Sequence, residues 1–127
     1  MFEAGLVKLL TDNAPAIGGV FYPGELPQQA ALPAGTYTVV AAPQEPTTET
    51  PGLQRHRYQF DCYGSTSLAA MTLRDGLRAF LNGYVGGLTD GTFLQNASLA
   101  DMQGPRFDPD RKQFYCMVEF YLLFNFS

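Results

Sequence analysis

The chain has 127 residues, which suits one domain and argues against the larger multi-domain enzyme architectures. At this size about two-thirds of the unfolded chain's surface can be buried, so the fold needs no metal or disulfide staples. Hydrophobic residues make up 46% and charged residues 16%, a balance that argues against disorder and for extensive burial or partner contact. The net charge of −4 supplies no overall positive field for nucleic acid or an anionic membrane.

Residues 2–13 place Phe2, Leu6, Leu9 and Leu10 at helical spacing against Glu3, Lys8, Thr11 and Asp12, which predicts a short amphipathic helix closed by Asn13-Ala14-Pro15. The presence of Glu3 and Gly5, with no basic start, argues against a secretory signal. Residues 20–24 form a brief strand stopped by Pro23 and Gly24, and a polar loop leads to Pro33. Residues 36–42, rich in β-branched and aromatic side chains, read as a second strand. Residues 43–54 hold three prolines and two glutamates with almost nothing to bury, so they are expected to project from the sheet as a long hairpin loop.

Residues 55–63 alternate sharply, with His56, Tyr58, Phe60 and Cys62 on a core face and Arg55, Arg57, Gln59 and Asp61 on a polar one. Ser65, Thr66 and Ser67 offer N-caps for a helix whose apolar stripe is Ala70, Leu73, Leu77, Phe80, Leu81 and Tyr84. It ends near Asn82-Gly83 or Gly86-Gly87. Residues 92–102 alternate less cleanly and read as another strand, and residues 104–112 as a charged turn. In residues 114–126, Phe114, Cys116, Val118, Phe120, Leu122, Phe124 and Phe126 make one apolar face. The opposite face, with Tyr115, Met117, Tyr121 and Leu123 around Glu119, is also largely apolar, so both sides of this strand want cover. This apolar stretch is too short for a membrane-spanning helix. The expected fold is α+β: a mostly antiparallel sheet of about five strands with two helices on one face, in the order α-β-β-β-α-β-β. Two helices leave the other face to the sheet's own long side chains or to another subunit.

Motifs for chemistry are sparse. There is no phosphate-binding glycine loop, Cys-x-x-Cys pair, zinc-protease motif or nucleophile elbow. His56, the only histidine, has no nearby cysteine or carboxylate with which to hold a metal and reads as a strand or interface residue. Phe107-Asp108-Pro109-Asp110-Arg111 lacks the Gly and distal Glu of a calcium loop and reads as a solvated turn. Asp61 and Asp75 lie close enough in sequence to neutralise the arginines at 55, 57, 74 and 78, so ion pairs are expected in place of DNA recognition. Cys62 and Cys116 are expected to be reduced, buried thiols. No catalytic, cofactor or metal site is expected, and no enzymatic activity.

The order of a helix, a Val-Phe-Tyr-Pro-Gly strand, a Pro-Gln-Gln-Ala-Ala-Leu-Pro loop, a Tyr-Thr-Val-Val strand, an Arg-Tyr-Gln-Phe-Asp-Cys-Tyr strand and a Ser-Leu-Ala-Ala helix resembles the tail-completion or tail-terminator proteins of long-tailed bacteriophages. The resemblance spans nearly the whole chain through the order and spacing of degenerate motifs. The aromatic final strand and the Asp108-to-Arg111 turn depart from it. It implies one domain over residues 1–127, forming a homo-hexameric ring that caps the tail tube, ends its polymerisation and leaves a central channel for DNA. The implied partners are further copies of the chain, the tail tube protein and a head-completion or connector protein; the implied location is the virion tail or neck, without a membrane. Gln44, Glu45 and Glu49 then belong to a docking or lumen-facing loop, and Arg55, Arg57, Asp61, Tyr115 and Tyr121 are candidate subunit contacts. The alternatives are a neck component, such as a head-closure or head-tail adaptor protein, and a small cytosolic ligand-binding domain.

Overall fold

The computed structural model describes residues 2–27, 30–41, 53–88 and 91–126. The chain opens with helices α1 (Phe2–Asp12) and α2 (Ala14–Ile17), followed by strands β1 (Val20–Pro23), β2 (Ala34–Ala41) and β3 (Leu53–Gly64). Helix α3 (Ser67–Leu81) comes next, then β4 (Gly86–Gly87), β5 (Thr92–Asp108) and β6 (Gln113–Phe126). The strands form one sheet in the order β1-β2-β3-β6-β5-β4. β1 and β2 are parallel and every other neighbouring pair is antiparallel.

The α+β class and the helices on one face agree with the sequence, but the sheet is six-stranded and mixed, and the order is α-α-β-β-β-α-β-β-β. The first helix splits at Asn13, whose side-chain amide donates to the Leu9 carbonyl at 2.8 Å while its own carbonyl accepts from Ala16 and Ile17. Pro15 then sits in the first turn of α2, where its missing N–H costs nothing. β1 runs parallel to β2, and buried Leu26 pins to the core the segment that follows β1. Of the two expected ends of the second helix, the first is the one observed, with Asn82 as the C-cap of α3, and Gly86 and Gly87 pair with Leu94 and Phe93.

The uneven alternation of β5 has a physical cause. Its register against β6 shifts between Leu94 and Asn96, Leu99 and Asp101, and Gln103 and Arg106, and each shift resets which side chains face inward. The last shift absorbs Gly104-Pro105, so the strand continues to Asp108 where the sequence predicted a turn from residue 104. Beyond the short β4 and a hydrogen bond from the Gly83 amide to the Ala97 carbonyl, no strand pairs with the far edge of β5 among the described residues.

One core lies between the sheet and the helices. Tyr58, Phe60 and Cys62 of β3 and Val118, Phe120, Leu122 and Phe124 of β6 are buried with Leu73, Leu77 and Leu81 of α3. Leu6, Leu10, Ile17 and Phe21 extend the same cluster. Phe60 meets Phe21 and Phe120 edge-on, at ring-centroid distances of 5.8 and 6.0 Å. The cap of α3 is Thr66, whose hydroxyl accepts from the Ala69 amide at 3.1 Å. Gly76 lets α2 approach α3, since a Cβ there would lie 2.0 Å from the Ile17 carbonyl oxygen. Cys62 and Cys116 are direct cross-strand partners and both are free, buried thiols whose pKa values burial pushes up.

Phe120→Ala is expected to destabilise the protein by about 3–5 kcal/mol in chemical denaturation, because it opens a cavity under α3. A loss below about 1 kcal/mol would mean that this face is not the core.

Candidate functional site

The sheet face away from the helices carries all five subunit-contact candidates. Residues alternate along β3 and β6, so burying Tyr58, Phe60, Phe120 and Leu122 inward turns Arg55, Arg57, Asp61, Tyr115 and Tyr121 outward. Register then places Arg57 beside Tyr121, Asp61 beside Met117 and Tyr63 beside Tyr115. Gln44, Glu45 and Glu49 of the expected docking loop lie outside the described residues.

At one end of this face the Arg57 guanidinium donates to Glu119 through Nε at 2.7 Å and through Nη2. Glu119 is buried although no helix covers it; its neighbours on the sheet and this arginine shield it. The hydrogen bond to Glu119 holds the Arg57 pKa above its ordinary value. The guanidinium carbons of Arg55 and Arg57 sit 5.2 and 5.7 Å from the centre of the Tyr121 ring, within cation–π range. The expectation that Asp61 neutralises Arg57 is corrected here. Four residues along a strand span about 13 Å, beyond side-chain reach, whereas Glu119 lies diagonally across on the adjacent strand, two residues from Tyr121, the direct partner of Arg57. Arg74 pairs with Asp75 at 3.1 Å, as expected.

At the other end the face deepens into an open groove of about 510 Å³. Asp61, Tyr63, Tyr115 and Met117 line its floor, and Gln103, Arg106 and Pro109 of the β5–β6 hairpin contribute to its wall. Asp61 accepts one hydrogen bond, from the neutral Gln59 amide at 3.1 Å. Burial, followed by repulsion from Glu119, raises its pKa despite that bond. The Tyr63 and Tyr115 rings lie 5.7 Å apart, and burial also raises the Tyr63 pKa. Arg106 donates to Gln103 at 3.2 Å. Tyr63 and the hairpin wall were missed as site residues, the wall because the sequence ended this strand at Met102. The alternation that assigned Arg55 to Asp61 outward already placed Tyr63 with them.

Two further motifs take structural places. The Asp108 carboxylate accepts from the backbone amides of Asp110 at 3.0 Å and Arg111 at 3.4 Å, closing the β5–β6 turn. Arg111 reaches back to the Leu26 carbonyl at 2.8 Å and clasps that turn to the β1–β2 connection. His56 sits on the inward side, edge-on to Phe124 at 4.8 Å, and burial lowers its pKa. No group of three or more His, Cys, Asp or Glu side chains that could hold a metal occurs among the described residues. No helix among them is long and apolar enough to cross a membrane.

A mixed six-stranded sheet with helices on one face and a tyrosine- and arginine-bearing surface on the other defines an α+β chain with one open sheet face. No family model and no curated protein matches the sequence. A solved chain described as part of the virion of a native gene transfer agent particle is similar in fold, with a TM-score of 0.67 over 96% of this chain and 92% of that one. Sequence identity between the two is 13%, so the likeness is one of fold.

Asp61 supplies a test of the groove's electrostatics. The folded chain holds the Asp61 proton more tightly than the unfolded chain does, so this residue's contribution to stability falls as pH rises from 3.8 through the raised native value. Asp61→Asn is therefore expected to increase unfolding free energy near neutral pH, with the gain shrinking as the medium is acidified. Equal stability of the two proteins across the whole pH range would contradict this.

Proposed function

We propose that this chain is a structural subunit of a phage-like virion that forms a homo-hexameric ring on the end of a tail tube, the role of a tail terminator. The observation that carries the reading is the fold shared with a gene transfer agent virion chain across almost the full length of both. It is joined by the ordered motifs that resemble tail terminators and by a sheet face rich in tyrosine and arginine that no helix of the subunit covers. Such aromatic and arginine side chains are enriched in protein interfaces.

In this reading the protein works by geometry and not by catalysis. A closed ring blocks addition of further tube subunits, leaves an axial channel for DNA and offers a surface to the head-completion or connector protein. The net charge of −4 suits a channel along which DNA slides without adhering. Gln44, Glu45 and Glu49 belong to an arm that docks on a neighbouring component or faces the lumen.

Light scattering across a hundredfold concentration range, with negative-stain imaging of the same fractions, is expected to find hexameric rings, either alone or after purified tail tubes are added. A chain that stays monomeric in both conditions would overturn the reading. Binding to isolated tubes, as opposed to DNA-filled heads, separates a terminator from a head-side neck protein.

Deleting residues 46–51, which contribute little apolar side chain, is expected to leave the melting temperature nearly unchanged while impairing head-to-tail joining. Full infectivity of that deletion would remove the docking role from the segment.

A further inference from the structure

We propose that the groove on the open sheet face receives the Arg78 guanidinium of an adjacent copy of this chain, which pairs with Asp61 beside the rings of Tyr63 and Tyr115. The proposal rests on the ring reading above, to which it adds the contact that joins one subunit to the next.

Asp61 is the acceptor such a contact needs. It lies on the groove floor, half-buried, with a neutral amide as its hydrogen-bond donor and no ion pair among the described residues. Burial and Glu119 disfavour its charge within the isolated subunit, and an incoming cation would offset both effects. Tyr63 and Tyr115, tilted by 34° to each other, add aromatic surface next to the carboxylate. A carboxylate beside aromatic rings suits arginine, whose planar guanidinium can stack and make paired hydrogen bonds at once.

The chain's own cations identify the donor. Of its eight Lys and Arg side chains, Lys8, Arg57, Arg74 and Arg111 pair with carboxylates, and Arg106 bonds Gln103 inside the groove. Arg55, Arg78 and Lys112 are exposed and have no ion pair among the described residues. Arg55 lies on the same sheet face as the groove, and Lys112 in the turn at the groove's end. Contacts through either would set two sheet faces against each other, a self-complementary arrangement that is complete at two copies. Arg78 stands on the opposite layer, on α3 beside Ala79 and Asn82, and Asp75 close by is already engaged by Arg74. A groove on one layer that takes a side chain from the other layer repeats head to tail, the geometry that closes rings.

Apolar surface matches the same pairing. Leu68 near the start of α3 and Val85 just beyond its end are 68% and 57% exposed, and Phe107 at the groove is 51% exposed. Both layers thus carry exposed apolar side chains that a contact between copies can draw on.

Sedimentation and negative-stain imaging of Asp61→Arg, Arg78→Asp and the double exchange test the contact, with circular dichroism melts reporting folding. Each single exchange is expected to weaken association by at least about tenfold and the double exchange to recover most of it. Should Asp61→Arg fail to fold, Asp61→Asn serves in its place, and is expected to weaken association while the subunit itself grows more stable. Wild-type rings that persist unchanged in Asp61→Asn and Arg78→Asp would overturn the proposal and leave the ring reading standing. Loss of association in Arg55→Asp but not in Arg78→Asp would overturn the assigned donor. Association that depends on Asp61 and Arg78 but yields open filaments would support the contact and overturn the terminator reading. A wild-type chain that never associates would overturn both.

Discussion

The antiparallel pair β3–β6 is the constraint on which the rest of the structure depends. The two strands run in register from Leu53 opposite Asn125 to Gly64 opposite Phe114, and along the middle of the pair Tyr58, Phe60, Cys62, Cys116, Val118, Phe120, Leu122 and Phe124 are buried. Each such apolar side chain contributes about 1.5–3 kcal/mol relative to exposure, so this ribbon and the α3 stripe above it dominate the favourable burial. Every other element is placed by reference to it. β2 and β5 extend it on either side, α3 covers its centre, and α1 and α2 close the end over β1. Fixing one face as core also fixes the other, because the side-chain period of two leaves no intermediate choice.

That rule explains how much was legible in the sequence. The sharp alternation of residues 55–63 and the double apolar face of residues 114–126 gave both central strands, their inward faces and the five outward candidates. What escaped was non-local or irregular. Nothing in residues 20–24 indicates that the following strand will lie parallel, because that depends on where the next ten or so residues route the chain. A two-residue strand of Gly86 and Gly87 has no side-chain pattern at all. β5 hid its length because three register shifts broke the alternation, and Gly104-Pro105 looks like a turn until a shift accommodates it. The partner of Arg57 is not legible because proximity in sequence differs from proximity across strands, and Glu119 comes from the adjacent strand 62 residues away.

The open face treats its two outward carboxylates on the central strands differently. Glu119 is enclosed with a guanidinium that satisfies it inside the subunit, so it adds definition to the strand pairing and offers little to a partner. Asp61, two strand positions away in register, receives a neutral donor and carries the cost of partial burial alone. The face thus holds one carboxylate, Glu119, neutralised by Arg57, and a second, Asp61 beside Tyr63 and Tyr115, with no ion pair among the described residues. The β5–β6 hairpin, clasped at its turn by Arg111 to Leu26, holds the wall of the groove in place.

The irregular β5 has a bearing on solubility. A strand of this length with one free edge would ordinarily expose a row of backbone donors and acceptors, ready to zip onto a second strand. Its three register shifts interrupt that row at intervals, and Pro105, inside the last of them, has no backbone donor to offer. Backbone pairing between copies is therefore blunted along the edge that could otherwise have seeded indefinite stacking. A contact between copies would then fall to side chains, where a match can be finite in number and specific in orientation.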